Sequence, residues 1–335
     1  MEKRSYLLLF ETQNNVPNGD PFTNEQRYDN ANEKIMVSDL RIKRYIRDEF
    51  IKKFSSIETI FCKYDVIEIK KFISSISKID MTMTGSAYSF RKYLLDNGYI
   101  SKIGDDITKV IKSISSGNTI DLYDLMKEFI DVRLFGGILT DTKSNCAIEG
   151  AIQFRNLSYS LNKVRTEIFQ NTTVFPSEIS NNQGSMGTTS LVPYSIIAVE
   201  GWLNEETARI NKLTEDDIYK MLSCLWLGIR DKNSKSKSGQ TPILILEIVY
   251  QEFEYKFNPA INVYKTIRNI NTLVKIKSDI EDINIRSSSD YELQLDELID
   301  KCSKDNVKSV NFFTEDEDLI TKLELNSKFN FKDLI

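Results

Sequence analysis

The sequence predicts an α+β fold in which long buried strands and two capped helices form a core interrupted by two insertions. Ser38 and Thr214 each precede a segment whose apolar residues recur at helical spacing, so each is a candidate N-cap. By contrast, residues 55–130 have mixed periodicity and are expected to be an insertion, and residues 170–189 are polar with scattered apolar positions and are expected to be an extended hairpin or a mobile loop. Three apolar runs are typical of buried strands, and they span residues 5–11, 191–201 and 242–250.

The order of these elements predicts a ferredoxin-like core. A shorter strand is expected at residues 147–154, where apolar and polar side chains alternate. Without the insertions, the elements follow one another as β-α-β-β-α-β, which is the ferredoxin-like order. Residues after 255 alternate short apolar runs with charge, which predicts a peripheral extension.

The composition excludes several kinds of catalytic site. The 335 residues contain no histidine, which rules out a Ser-His-Asp triad, a Cys-His pair and any His-ligated metal site. The sequence also lacks the GxxxxGK[ST] and GxGxxG patterns, so no nucleotide cofactor is expected. Pairs of acidic residues stand at expected helix starts or in the charged tail, and we therefore expect no bound metal and no cofactor.

The cysteines and the amino terminus indicate a soluble cytoplasmic chain. The apolar run before Glu11 is too short for a signal peptide or a membrane span. The cysteines are widely spaced with no CxxC pair, which disfavours a structural zinc and fits a reducing compartment. They are Cys62, Cys146, Cys224 and Cys302.

Charge is unevenly distributed along the chain. The net charge is −5, which on its face disfavours nucleic acid as a partner. However, residues 277–335 carry −7, so the remaining 276 positions carry +2. The bulk charge therefore does not exclude a nucleic-acid site, and local basic patches must decide.

The segment from Ser38 to Arg47 is the most informative local patch. Its basic side chains crowd one or two faces of the predicted helix, opposite the apolar stripe, and the free N–H groups at the helix start also favour phosphate. Together these features make a candidate anchor for a nucleic-acid backbone. The alternative is a solvated helix face whose bases pair with Asp48 and Glu49. The basic residues are Arg41, Lys43, Arg44 and Arg47.

Two further segments could contact a phosphate backbone. Gln153 and Arg155 alternate with apolar residues and so share one face of a strand, which follows a Gly136-Gly137 pair that permits close backbone approach. The alternative there is an ordinary amphipathic strand. The second segment, residues 232–240, carries lysines among small residues and could follow phosphates without reading bases, or could be a plain exposed linker.

The order of several motifs resembles a known family, the CRISPR-associated Cas-seven (Cas7) proteins. The similarity is greatest to the type I-B (Csh) branch of Cascade backbone subunits and spans about residues 5 to 250. The motifs that carry it are Asn15-Val16-Pro17-Asn18-Gly19-Asp20-Pro21, residues 37–48 (VSDLRIKRYIRD), Asp131-Val132-Arg133-Leu134-Phe135-Gly136, Gly150-Ala151-Ile152-Gln153-Phe154, Val192-Pro193-Tyr194 and Ser236-Lys237-Ser238-Gly239-Gln240. Ala151 departs from the pattern, since a proline is expected there.

The resemblance implies a right-hand shape with an RNA-recognition-like palm. It places the palm at residues 1–54, 131–164 and 191–255, and the fingers at 55–130. The thumb would be 165–190, and 256–335 would be an acidic carboxy-terminal extension.

The resemblance also implies a role. Several copies would stack along one CRISPR guide RNA, beside other Cascade subunits, and the guide would pair with target DNA. The implied RNA contacts are Asn18, Ser38, Arg41, Lys43, Arg44, Arg47, Arg133, Gln153, Arg155, Lys235 and Lys237.

Two other functions stay open at this point. Related backbone subunits of type III complexes cleave RNA with an aspartate, and Asp39, Asp131 or Asp141 could fill that role here, although no motif singles one out. A stand-alone RNA-recognition module is the other alternative. The resemblance itself favours a subunit that is not an enzyme.

Overall fold

The computed structural model describes residues 1–23, 25–54, 60–62, 86–102, 105, 122–139, 146–172, 186–234, 236–255 and 258–335. Most of the expected fingers segment and residues 173–185 of the expected thumb lie outside these ranges. The strands are β1 Arg4–Asn15, β2 Tyr28–Asp29, β3 Lys34–Ser38, β4 Gly136–Leu139, β5 Cys146–Glu149, β6 Ile152–Phe154, β7 Leu157–Tyr159, β8 Glu167–Thr172, β9 Met186–Leu203, β10 Gln240–Tyr250, β11 Glu252–Tyr255, β12 Asn258–Tyr264, β13 Lys275–Lys277, β14 Glu292–Gln294, β15 Val307–Phe313 and β16 Phe329–Phe331. The helices are α1 Asp39–Phe54, α2 Ser86–Asp96, α3 Leu122–Lys127, α4 Ile130–Phe135, α5 Glu205–Ile210, α6 Glu215–Arg230, α7 Asp296–Cys302 and α8 Glu317–Glu324.

The main predicted elements are present. The three apolar runs lie within β1, β9 and β10, and α1 and α6 begin directly after Ser38 and Thr214. At the start of α6, the Asp217 amide donates to Thr214 Oγ1 at 3.1 Å, and the Thr214 amide donates to Asp217 Oδ2 at 3.0 Å. This reciprocal cap satisfies backbone groups that a helix end leaves without partners.

The chain divides into two compact units. The first unit contains Met1 and residues 43–153 and 203–224. The second unit contains residues 2–42, 154–202 and 225–335.

A mixed sheet organises the second unit. Its strand order is β16-β15-β10-β1-β9-β6, and β8 pairs with β9 beside this path. β1 and β10 are antiparallel, with Arg4 opposite Val249 and Leu7 opposite Leu246. The centre of β1 is a continuous apolar run, and both of its faces are buried there: Leu7 and Leu9 on one face and Leu8 on the other are each at most 2% exposed.

The carboxy-terminal residues belong to this sheet, so the expectation of a peripheral extension is wrong for them. β15 is antiparallel to β10, with Ile245 opposite Phe313, and β16 lies parallel to β15. Phe312 is 1% exposed and packs in the same core cluster as Leu7 and Leu246. The short apolar runs after residue 255 are therefore buried core segments, and only the intervening positions carry the acidic charge.

The same cluster covers one face of the sheet. Leu7 and Leu9 of β1 pack in one cluster with Ile270, Leu295 and Leu298, which belong to the carboxy-terminal segment. The carboxy-terminal segment thus covers this face of β1 and β10.

The first unit has a core of its own. Phe61, Phe90 and Phe129 are at most 1% exposed, and the Phe61 and Phe129 rings meet edge to face with centroids 5.5 Å apart. β4 and β5 join this core as an antiparallel pair. Gly136, with φ of 79°, allows the tight approach between them, because a Cβ there would lie 2.4 Å from the Ile148 carbonyl oxygen.

β8 and β9 form the two arms of an antiparallel hairpin. Glu167 lies opposite Leu191, and Thr172 lies opposite Met186. The expected thumb at 165–190 therefore has a paired base within the described residues.

Candidate nucleic-acid interface

The start of α1 is fixed by two polar side chains of the second unit. The Arg41 amide donates to Ser38 Oγ at 3.4 Å, which confirms Ser38 as the N-cap. The Ser38 amide in turn donates to Asn18 Oδ1 at 2.7 Å. Asn18 is 8% exposed, and its own amide donates to Gln26 Oε1 at 2.9 Å. Asn18 thus attaches the loop of residues 14–20 to the helix start.

The same loop is bonded to the lysine-serine loop that precedes β10. The Val16 amide donates to the Ser236 carbonyl and the Gln13 amide to the Gly239 carbonyl, each at 3.0 Å. The Asn15 side-chain amide donates to the Ser238 carbonyl at 3.0 Å. These bonds show that residues 236–239 form an ordered contact rather than a plain linker.

One glycine makes this contact possible. Gly239 has φ of 87°, and a Cβ at that position would lie 3.0 Å from the Gln13 carbonyl oxygen. A side chain would meet both the backbone strain and the close contact. The positive φ and the close contact with Gln13 therefore explain why the motif has a glycine at position 239.

Lys237 faces the first loop. Its Nζ donates to the Val16 carbonyl oxygen, and the side chain is half-buried. Lys235 lies outside the described residues. We call Asn18, Ser38, Arg41 and Lys237, with the two loops that hold them, the loop–helix junction. Segments more than 200 positions apart meet here, which the sequence could not show.

Arg44 and Lys43 occupy different environments on α1. The Arg44 side chain is 46% exposed, and its Nε lies 3.6 Å from Asp48 Oδ2. Lys43 is 7% exposed, donates from Nζ to Gln153 Oε1 at 3.2 Å and lies 5.7 Å from the Phe135 ring centroid. Of these three polar residues, Arg44 and Gln153 are exposed, and Lys43 lies largely buried beneath Gln153.

Arg47 does not lie on an exposed face as predicted. It is 5% exposed, and its Nε donates to Asp131 Oδ2 at 3.0 Å, while its guanidinium lies 5.4 Å from the Phe135 ring centroid. Asp131 is fully buried and also accepts from the amides of Phe61 and Cys62 at 2.8 and 3.0 Å. Arg47 is therefore a core residue of the first unit, because the buried carboxylate needs a matching cation.

Arg133 is also engaged inside the first unit. Its guanidinium holds Asp217 through two bonds of 2.7 and 3.2 Å, and it donates to the Lys127 and Glu128 carbonyls. Because Asp217 also caps α6, Arg133 ties α4 to that helix start. Arg133 thus has a structural role, and its contact with RNA stays a prediction.

Arg155 pairs with a buried acid of the second unit. Its Nη2 lies 2.5 Å from an oxygen of Glu200, which is fully buried, and the guanidinium stacks 5.4 Å from the Trp202 ring centroid. Glu200 Oε1 also accepts from the Ile270 amide at 2.9 Å. The side chain is 35% exposed, so part of it still faces solvent.

Arg27 is a further basic residue in this region, and the sequence did not predict it as a contact. It follows the loop of residues 14–20, and its Nη2 lies 3.3 Å from Asp20 Oδ2. The residue is partly exposed, but its Nε is buried and has no hydrogen-bond partner in the described part of the chain. A single arginine in a polar loop carries no periodic signal that would distinguish it.

Burial raises the pKa of two tyrosines in the second unit. The Tyr194 hydroxyl contacts Glu11, lies 3.3 Å from the Tyr291 hydroxyl, and has a pKa raised well above its usual value by burial and then by the Glu11 hydrogen bond. Burial raises the pKa of Tyr291 to about 12. Both hydroxyls are neutral near pH 7 and act as structural groups.

The described ranges contain neither a candidate metal site nor a candidate membrane-spanning helix. They hold no group of three or more Cys, Asp or Glu side chains arranged to bind a metal ion. None of the helices within these ranges combines the length and the apolar composition that a membrane crossing requires.

Comparison with known proteins identifies the family. The family model described as CRISPR-associated protein Cas7 matches residues 2–296. A CRISPR-associated protein Cas7 of Haloferax volcanii is 22% identical over 326 residues, covering 90% of this chain and 82% of the relative.

A solved structure shares the fold. A chain of a pre-nicking CRISPR RNA-guided surveillance complex superposes with a TM-score of 0.55 at 11% identity, covering 99% of this chain and 96% of that one. A chain of another CRISPR RNA-guided surveillance complex gives 0.49 at 12% identity, with 99% and 94% covered. Since the family model spans most of its length, this chain belongs to the CRISPR-associated protein Cas7 family.

Proposed function

We propose that this protein is a non-catalytic backbone subunit of a type I-B Cascade complex in the cytoplasm. Copies would assemble along a CRISPR guide RNA beside other Cascade subunits and present the guide for pairing with target DNA. Because pairing reads the target sequence, the protein needs contacts mainly with sugar and phosphate. Membership of the Cas7 family supports this role.

The observation that carries the proposal is the loop–helix junction. Three family-like motifs, distant in the chain, meet through side-chain and backbone hydrogen bonds at the start of a helix whose next turn exposes Arg44. Helix N-termini favour anions, and an exposed arginine on the same helix adds a phosphate partner. We retain Ser38, Arg41, Arg44 and Lys237 as candidate contacts, with Lys43, Gln153 and Arg155 as secondary ones.

The sheet order supports a ferredoxin-like palm. If β1, β6, β9 and β10 are numbered 1 to 4 in chain order, their order across the sheet is 4-1-3-2. The helices α1 and α6 fall between the first and second and between the third and fourth of these strands, as the β-α-β-β-α-β order requires.

The ribonuclease alternative has less support. Asp131 is fully buried, and both of its carboxylate oxygens accept hydrogen bonds from protein groups, so the side chain is not accessible to a substrate. Asp141 lies outside the described residues, and Asp39 is the first residue of α1, where an acid favours the helix dipole.

One experiment separates the two functions. Purified protein is incubated with labelled CRISPR RNA and complementary RNA, with and without magnesium. We expect assembly on intact RNA that depends on RNA length and weakens with salt. Metal-dependent cuts in the complementary RNA would overturn the proposal, as would the absence of any length-dependent binding.

A further inference from the structure

A polar cleft lies in the second unit beside the loop–helix junction. Its lining includes Asp20, Glu25 and Arg27, together with Thr166, Ile168 and Ser190 at the base of the β8–β9 hairpin. Its volume is about 450 Å³. This lies within the range of about 300–1,000 Å³ that is usual for small-molecule sites. We call it the hairpin cleft.

Several polar groups converge on the cleft without a protein partner. Within the described residues, the Glu25 carboxylate, the Asn30 amide and the hydroxyls of Thr166 and Ser190 make no hydrogen bond or ion pair. Other lining groups are already engaged, since Tyr28 donates to the Val164 carbonyl at 2.8 Å. The Glu25 carboxylate can only accept hydrogen bonds, whereas the Asn30 amide and the two hydroxyls can both donate and accept, which suits a ligand rich in hydroxyls.

The charges of the lining residues disfavour a phosphate inside the cleft. Asp20 and Glu25 are acidic, and the one basic lining residue, Arg27, already pairs with Asp20 at 3.3 Å. An anion would meet the unpaired Glu25 carboxylate, whereas a sugar hydroxyl would donate to it. A carboxylate that accepts from a ribose 2′-hydroxyl is a common way to bind this sugar.

We propose that the hairpin cleft binds one ribose of a bound RNA strand, with Glu25 accepting a hydrogen bond from the 2′-hydroxyl and the Thr166 hydroxyl donating one to the oxygen of that same group. This rests on the proposed RNA-binding function and adds to it a means of distinguishing RNA from DNA. The apolar side chain of Ile168 provides a surface for the attached base.

The test compares RNA with 2′-fluoro RNA of the same sequence, which keeps the sugar pucker and lacks the hydroxyl donor. We expect wild-type protein to prefer RNA by about tenfold to a hundredfold, as one charge-assisted hydrogen bond provides. Glu25→Ala and Thr166→Val should each reduce that ratio. Thr166→Val keeps the side-chain volume and the net charge of the protein, so a lower RNA preference in this variant cannot come from a change in charge.

Glu324→Ala is the matched control. It removes the same charge from an exposed position on α8, outside the cleft. Glu324→Ala should leave the preference for RNA over 2′-fluoro RNA unchanged. Any effect of net charge on overall affinity should appear equally in Glu25→Ala and Glu324→Ala. Competition by free adenosine 5′-monophosphate would show that the site takes isolated ribonucleotides as well as RNA, which still supports a ribose site.

The outcomes separate the inference from the function beneath it. If wild-type protein binds RNA with length dependence but binds 2′-fluoro RNA equally well, or if both cleft variants keep the preference, the inference is wrong and the proposed function stands. If the wild-type protein binds neither oligonucleotide, both fail.

Discussion

The Ser38 amide and the Asn18 side chain, 20 positions apart, are joined by a hydrogen bond of 2.7 Å. Asn18 is nearly buried, and Ser38 is the N-cap of α1. The bond makes the helix start and the preceding loop one structural feature. Any nucleic-acid contact made there depends on a side chain that itself faces the protein interior.

Replacing Asn18 tests this dependence. Asn18→Ala should lower the free energy of unfolding by about 1–2 kcal/mol, because the partly buried Ser38 amide loses its acceptor. Asn18→Asp keeps an oxygen there and should retain most of the stability. Urea unfolding followed by circular dichroism gives both values, and equal losses in the two variants would contradict the assigned role of Oδ1.

Removing Asp131 should cost far more stability. Asp131→Ala leaves the Arg47 guanidinium buried without its carboxylate and two amides without an acceptor, so we expect a loss of about 3–5 kcal/mol. Glu206→Ala is the control, because Glu206 also pairs with an arginine but at an exposed site. That variant should change stability by less than about 1 kcal/mol. Similar losses in the two variants would argue against a structural role for Asp131.

Arg44→Ala tests backbone contact with RNA. If Arg44 neutralises one phosphate, the variant should bind all RNA sequences more weakly to the same degree, and the slope of affinity against salt should fall by about one. Lys304→Ala is a matched control, since Lys304 also pairs with an acid four positions away. Fluorescence anisotropy at several salt concentrations measures both. A loss confined to some sequences would contradict backbone contact.

Alkaline pH should destabilise the protein through its buried tyrosines. Tyr291 has a raised pKa of about 12 in the folded state, above the ordinary value of 10. Its contribution is therefore complete below pH 10 and is lost as the pH rises towards 12. Over that interval the slope should approach about 1.4 kcal/mol per pH unit for this one proton. Tyr291→Phe should unfold with a shallower pH dependence, measured by urea titration at pH 9, 10 and 11, and an unchanged slope would exclude Tyr291 as the source.

Truncation tests the integral role of the carboxy terminus. Deleting residues 307–335 removes β15 and β16 with Val310, Phe312 and Phe329, which uncovers the core beside β10. We expect no cooperative unfolding transition. The charge-neutralising variant Glu324→Gln should instead remain within about 0.5 kcal/mol of wild type. A folded truncated protein would show that the last strands are dispensable.

Local patterns predicted the elements whose cause is local. The strands β1, β9 and β10 follow from long apolar runs, and the starts of α1 and α6 follow from capping residues. The carboxy-terminal strands were missed because each is short and separated by charged turns. Their burial depends on pairing with β10, which no window of sequence contains.

The same limit applies to the basic residues. Arg47, Arg133 and Arg155 all carried a plausible phosphate-binding pattern, yet each pairs with an acid 84, 84 or 45 positions away. Residue type alone cannot separate a cation that binds a ligand from one that neutralises a buried carboxylate. Arg44, whose charged neighbour lies one turn away, was interpretable from sequence.

The sheet of the second unit also sets the timing of folding. β1 is synthesised more than 200 residues before its neighbour β10, which begins at Gln240, and β10 pairs in turn with the still later β15. Such non-local pairing has a high contact order and is intrinsically slow. This sheet therefore cannot form completely until β15 has left the ribosome, and until then the apolar side chains of β1 can be bound by chaperones.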